Sequence, residues 1–375
     1  MDHRERFVRT LTGRNVDRVP FIKVFGGANA VIPRWEREYP GISECIDEIL
    51  RFEGEYRGWQ IAPVNVGLSR VGETEILEET GSRIVQRRGD GAVEIIQKGA
   101  DFYHQTIEWP VKSRRDWERI KDRHLQADDP DRFPKDWNAY VQRFRARDYP
   151  LQLTHGGVYG FARNLMGDEA LAYAFYEAPD LAHDIMDSYT EMAISIWSKM
   201  VEDADFDLVE CWEDMAFRSG SMVSPRIFRE FMKPNYLKIA AFAKEHSIGI
   251  ILVDSDGYID DLTPLMLESG VTAMYPYEAQ SGCDVGKMLD RHPRLGAIGG
   301  LDKQAMARGK EAIDREMERA RRLIRKGRFI PGPDHFVLSD VSWESYRYFM
   351  QRLREVVMTT EPGVESRASD GEGRT

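Results

Sequence analysis

Ile248-Gly-Ile-Ile-Leu-Val-Asp254-Ser-Asp256-Gly257 is a short aliphatic run that stops at two carboxylates. It shows no polar alternation, so it reads as a strand buried on both faces, the kind found in parallel sheets flanked by helices. Asp254 and Asp256 are two apart and in extended backbone point the same way. Two like charges at a strand tip raise the cost of ionising each other. A metal ion, a cationic group or a shared proton would relieve that cost, which marks this strand end as the first place to look for chemistry.

Strand and helix alternate on both sides of this run. Leu151–His155 reads as a strand, with helices over Asn164–Glu177 and Pro179–Glu202. Asp207–Trp212 is the next strand. Ser224-Pro225 then supplies an N-cap and a first-turn proline for a helix reaching about His246. After Asp254 come a helix near Ile259–Glu268, strand Val271–Tyr275, helix Val285–Arg291 and strand Leu295–Ile298. Helix Ala305–Lys326, strand Arg328–Ile330 and helix Trp343–Met358 complete the series. Val19–Val24 and Ile61–Val66 can supply two more strands. Eight strand–helix units predict a single (β/α)8 barrel over residues 1–358. A doubly wound sheet is the alternative, but no GxGxxG follows any strand. Ser82–Arg88 and Ala92–Lys98 alternate in polarity around Gly89-Asp90-Gly91, which predicts a β-hairpin inside an insertion over about residues 74–148. Residues 359–375 read as a disordered tail.

The 375 residues carry 52 Lys+Arg against 63 Asp+Glu, a net charge of −11. An acidic chain without a basic stripe is a poor partner for nucleic acid or anionic membrane. No apolar N-terminal segment or bilayer-length run is seen, so a cytoplasmic protein is expected. Cys45, Cys211 and Cys283 lie far apart without a CxxC, and read as small buried side chains. A homodimer would follow only from an apolar face left exposed.

In a barrel, active-site groups sit at the C-terminal ends of strands. Polar residues gather there along this chain: His155 and Tyr159, Glu210 to Asp214, Asp254 and Asp256, Tyr275 to Glu278, Asp302 and Lys303, Asp334 and His335. Plainer readings compete. Asp214 reads as an exposed loop acid and Asp302 as an N-cap, while Asp256 is open between cap and site. His155 fits a core position as well as a pocket, and Tyr159 fits ordinary packing. Trp212 and Tyr275 read as walls. Nucleophile-elbow, P-loop and HExxH motifs are all missing.

Several stretches carry a resemblance: Arg4-Glu-Arg-Phe, Asp17-Arg-Val-Pro20, Met166-Gly-Asp-Glu169, Glu177-Ala-Pro-Asp180 and Trp212-Glu-Asp-Met-Ala216. Ser224 to Phe231, Pro234-Asn-Tyr236, Asp254-Ser-Asp-Gly257, Gly299-Gly-Leu-Asp302 and Asp334-His335 continue it. Over about residues 3–358 the chain resembles the uroporphyrinogen decarboxylase superfamily, which includes cobalamin-dependent methyltransferases. The resemblance implies a single (β/α)8 barrel. True decarboxylases carry an arginine-rich signature after the first proline, where this chain has Pro20-Phe-Ile-Lys-Val-Phe-Gly-Gly27. The decarboxylase's aspartate near the second strand has no clear match in Ile61–Gly67. The methyltransferase branch holds zinc through His-x-Cys and a later Cys; Asp254-x-Asp256 and His335 resemble those positions, without the thiolates.

The resemblance therefore implies methyl transfer between a small methylated substrate and a corrinoid on a partner protein. Asp254, Asp256 and His335 would hold a divalent metal, zinc foremost, with Glu210 as a further ligand or acid/base. His155, Tyr159, Trp212, Tyr275 and Glu278 would contact substrate. The alternatives are a decarboxylase using Asp256 and His335, or a non-catalytic binding protein on the same barrel.

Overall fold

The computed structural model describes residues 1–24, 31–55, 57–98 and 104–363. Its centre is a curled parallel sheet of seven strands: β1 Gln60–Ile61, β6 Leu151–His155, β7 Leu208–Trp212, β10 Ile250–Asp254, β11 Ala273–Tyr275, β12 Gly296–Leu301 and β13 Phe329–Pro333, neighbours in that order. Strands β2 Glu75–Glu79, β3 Arg83–Arg87, β4 Val93–Gln97 and β5 His104–Glu108 form a separate antiparallel sheet. Strands β8 Ala216–Phe217 and β9 Gly220–Ser221 make a small ribbon after β7.

The period of two decides what lines each face. Leu208, Ile250, Leu252, Ala273, Tyr275, Ile298 and Ile330 form an inner core together with Phe7, Leu11 and Trp59. The alternate positions Val209, Ile251, Val253, Met274 and Phe329 join the larger outer core beneath the helices. Both faces of the central strands are apolar, which is why these segments read as unbroken hydrophobic runs.

Eight strands were expected and seven form a ladder. Residues 19–24 keep the strand alternation, with Ile22 and Val24 in the inner core and Val19 and Phe21 in the outer. They do not pair as a strand, because Pro20 has no N–H and the neighbouring amide goes elsewhere. Phe21 N donates to Glu53 Oε1 at 3.1 Å, and Glu53 N donates to Phe21 O at 2.8 Å. The segment still packs beside β13, where a side chain on Gly332 would meet Val24 Cγ2 at 2.2 Å. The strand expected over Ile61–Val66 is reduced to Gln60–Ile61. The helix expected over Asn164–Glu177 is two helices, Val158–Met166 and Asp168–Glu177, meeting at Gly167.

Ser224 caps as its sequence suggests, its Oγ accepting from Ile227 N at 3.3 Å with Pro225 in the first turn. Helix Trp343–Thr359 runs into the stretch read as tail, and Thr360 is buried. The remainder of that tail, residues 364–375, lies outside the described residues, as do residues 25–30 of the stretch after Pro20. Cys211 and Cys283 are buried, but Cys45 is exposed, on the outer side of helix Ile42–Leu50. Among the described residues, no helix is long and apolar enough to cross a membrane.

Candidate active site at the barrel mouth

Ladder register sets the floor of the site. Asp254 pairs with Trp212 on one side and Tyr275 on the other, and Glu210 pairs with Leu252 one step lower. Asp254 shares the inward parity of Ile250 and Leu252, so its carboxylate enters the barrel. There Tyr275 Oη donates to Asp254 Oδ2 at 2.8 Å and is hydrogen-bonded to Glu210 Oε1. Arg57 arrives from the turn before β1. Its Nη1 lies 3.3 Å from Asp254 Oδ2 and 3.4 Å from Glu210 Oε1, and it also contacts the Tyr275 hydroxyl. Burial, then the nearby Glu210, pushes the Asp254 carboxyl well above the usual carboxylate range, and Arg57 pulls the other way. Burial likewise pushes the Tyr275 phenol up.

Above this floor, side-chain carboxylates staple successive loops by accepting backbone amides. Asp214 Oδ1 accepts from Asp256 N at 3.2 Å, joining the loops after β7 and β10. Glu278 Oε2 accepts from Gly257 N at 2.9 Å, joining the loops after β10 and β11. Asp334 accepts from Ala279 N at 2.7 Å and Lys303 N at 3.0 Å, tying in the loops after β12 and β13. Gly257 has φ +85°, and a side chain there would meet Ala216 O at 2.3 Å. Glu213, fully buried, accepts from the amides of Val158, Tyr159 and Gly160 at 2.7, 2.8 and 2.9 Å, capping the helix from outside its own segment. The loops after β6, β7, β10, β11, β12 and β13 are thus joined in series by charge-assisted hydrogen bonds.

Two groupings with metal-ligand character emerge, and they share Asp256. One is Asp256, Glu278 and His335, with His335 Nε2 3.0 Å from Asp256 Oδ2; the other is Asp214, Asp254 and Asp256. In each, one ligand atom per residue lies within 4.8 Å of the others. Among the described residues, Asp254 and His335 each group with Asp256 but not in one and the same grouping. Asp214 is not an exposed loop acid. Burial, then the charge of Asp256, raises its carboxyl to about 6. Burial also raises Asp334 to about 6.

The wall residues separate in the same way. Trp212 stands at the mouth, 38% exposed, with the Arg163 guanidinium 4.9 Å over its ring. Tyr275 is no wall; it is fully buried at the centre of the barrel-floor network. His155 shares the parity of Leu151 and Leu153, faces outward, and packs against Tyr189 and Trp197. Burial lowers its imidazole to about 3, and neither ring nitrogen has a hydrogen-bond partner among the described residues. Tyr159 is buried in the outer core, its hydroxyl 3.4 Å from Asp168 Oδ1. Asp302 accepts from Gln304 N at 2.9 Å ahead of helix Ala305–Arg308.

Arg57 was missed because nothing local marks it: it precedes a two-residue strand and acts on residues more than 150 positions away. For His155 the signal was present, since the outward parity of Leu151 and Leu153 already assigns it to the helix side.

The family model for uroporphyrinogen decarboxylase (URO-D) matches residues 105–356. Among solved structures, a methyltransferase from Methanosarcina mazei is similar at 16% identity, with a TM-score of 0.60 over 95% of this chain and 98% of that one. A protein described as a vitamin-B12-independent methionine synthase from Listeria monocytogenes aligns at 13% identity over 58% of this chain and 69% of its own; its TM-score of 0.33 carries no argument. The comparison with curated proteins gives no match.

Proposed function

This chain belongs to the uroporphyrinogen decarboxylase family, and on that premise we propose that it moves a methyl group between a small methylated substrate and a corrinoid carried by a separate protein, with a divalent cation assisting. One observation carries this reading: Asp256 meets both His335 and Glu278 at the mouth, and it also groups with Asp214 and Asp254. Asp214, Asp256 and Glu278 bring three carboxylates to this space. A substrate bristling with carboxylates, as in tetrapyrrole decarboxylation, would meet repulsion here.

The donor set decides which cation fits. A thiolate zinc site does not: Cys211 faces the outer core, and Cys283 is buried with its Sγ on Gly257 O at 3.3 Å. Two carboxylates and an imidazole suit a harder divalent ion, for which Asp256, Glu278 and His335 are the ligands of choice. Such an ion would polarise the heteroatom that leaves the methyl group. The hydrogen bonds that Glu278 accepts from Gly257 N and Ser281 Oγ (3.0 Å) hold its carboxylate in orientation. Asp214, raised to about 6, can take or return the proton of the leaving heteroatom near neutral pH. Trp212, capped by Arg163, offers the methyl group an apolar wall.

The test is direct. Purified protein is mixed with methylcobalamin and a panel of small alcohols and amines as methyl acceptors, and separately with reduced cobalamin and a panel of small methyl ethers and methylamines, while the corrinoid spectrum is followed. Interconversion of the methylated and unmethylated forms supports the reading. A spectrum that stays at the enzyme-free rate with every partner and cation refutes it. The Asp256–His335 pair favours decarboxylation as the second reading, with His335 protonating the carbanion; carbon dioxide release from small acids would distinguish it.

A further inference from the structure

Asp254 ends β10 two residues before Asp256 and groups with it and Asp214, yet it is absent from the grouping that contains His335. The cause lies beneath it. Asp254 Oδ2 is held by the Tyr275 hydroxyl at 2.8 Å and by Arg57 Nη1 at 3.3 Å. Arg57 cannot drift from this position. Its Cζ lies 5.6 Å over the Tyr275 ring, and Glu210 holds the same Nη1 at 3.4 Å. The turn that carries it is anchored at both ends. Glu53 exchanges hydrogen bonds with Phe21, His3 Nε2 contacts Gly58 O at 2.5 Å, and Trp59 Nε1 donates to Gln152 Oε1 at 2.6 Å inside the barrel.

We infer that Arg57 is a positioning residue: with Tyr275 it holds the Asp254 carboxylate down into the barrel, so that a mouth cation takes Asp256, Glu278 and His335 as ligands and keeps a face open for substrate. This rests on the cation reading given above. A fourth protein carboxylate would close that face and cancel much of the ion's charge, weakening it as a Lewis acid. Arg57 and Tyr275 already occupy Asp254 Oδ2, so that oxygen has its hydrogen-bond partners without the ion.

Cation binding, read without any corrinoid, tests the inference. Mn2+ is titrated into wild type, Asp256→Asn, Asp254→Asn, Arg57→Met and the Arg57→Met/Asp254→Asn double variant, and free Mn2+ is followed by electron paramagnetic resonance. Asp256→Asn should weaken binding by about tenfold or more. Asp254→Asn alone should leave it unchanged. Arg57→Met should tighten binding, and adding Asp254→Asn should erase the gain. The inference is overturned if wild type binds no Mn2+, or if Asp254→Asn costs as much as Asp256→Asn. It also fails if the gain survives in the double variant, because Arg57 would then act as a repelling charge only. Should Arg57→Met not fold, the comparison of Asp254→Asn with Asp256→Asn still decides. The methyl-transfer reading stands or falls separately on the corrinoid spectra: transfer with Asp254 acting as a ligand sinks only this inference.

Discussion

Replacing Glu53 by Gln should destabilise the protein at neutral pH and much less in acid. Glu53 lies in the turn that leads to Arg57. Its carboxylate receives Arg6 Nη1 at 2.8 Å, Arg18 Nη1 at 2.5 Å and Phe21 N at 3.1 Å. Burial by itself would raise its carboxyl, but hydrogen bonds from His3, Arg18 and Phe21 overcome that and hold it at about 2. The ordinary value is 4.5. A gap of about 2.5 units at about 1.36 kcal/mol each sets an upper bound near ~3 kcal/mol. The side chain is 17% exposed, so solvent screening trims this to about 2–3 kcal/mol.

The sign follows from the depressed value. The contribution is complete above pH 4.5 and is lost as pH falls towards 2. At pH 3.5 the unfolded chain already binds the proton and the folded one does not, so about 1.4 kcal/mol should be gone. The assay is urea unfolding of wild type and Glu53→Gln at pH 7, 5 and 3.5. The stability difference should be largest at pH 7 and shrink by about 1.4 kcal/mol at pH 3.5. A difference that stays constant across this range would mean that Glu53 acts through packing alone, and the electrostatic account would be wrong.

Other outcomes follow from single side chains. Glu213→Gln replaces one acceptor oxygen by an NH2 that must face either Val158 N and the Tyr236 hydroxyl or the amides of Tyr159 and Gly160, and should cost about 3 kcal/mol in thermal or urea unfolding. His155→Phe removes a buried imidazole held at about 3 against an ordinary 6.5. The unfolded wild type gains a proton that the folded state refuses, so the variant should outlast wild type in acid by about 2 kcal/mol at pH 5 and lose no methyl transfer. Burial raises the Asp214 carboxyl, so the pH–rate profile of the proposed methyl transfer should carry a bend on its acid side, and Asp214→Asn should remove it. A profile that bends equally in both proteins would take Asp214 out of the proton-handling role.

The sequence by itself determined the alternation of strand and helix, the parallel sheet and the end of it where chemistry collects. It could do so because these are local signals: apolar runs long enough for a strand, Ser224-Pro225 at a helix start, polar residues after each strand. Alternation along β10 puts Asp254 on one face with Ile250 and Leu252, and the structure makes that face the inner one. Only the tertiary structure decided which acids share a space. Asp214 and Asp256 are 42 positions apart, Asp256 and His335 are 79 apart, and Arg57 reaches Asp254 across 197. Those encounters depend on ladder register and on amides stapling one loop to the next. Pro20, for its part, spends residues 19–24 on Glu53 instead of an eighth strand. Spacing along the chain carries no information about which of six strand ends lean together. That is set by the curl of the sheet and by the Arg57 guanidinium that enters it from the turn before β1.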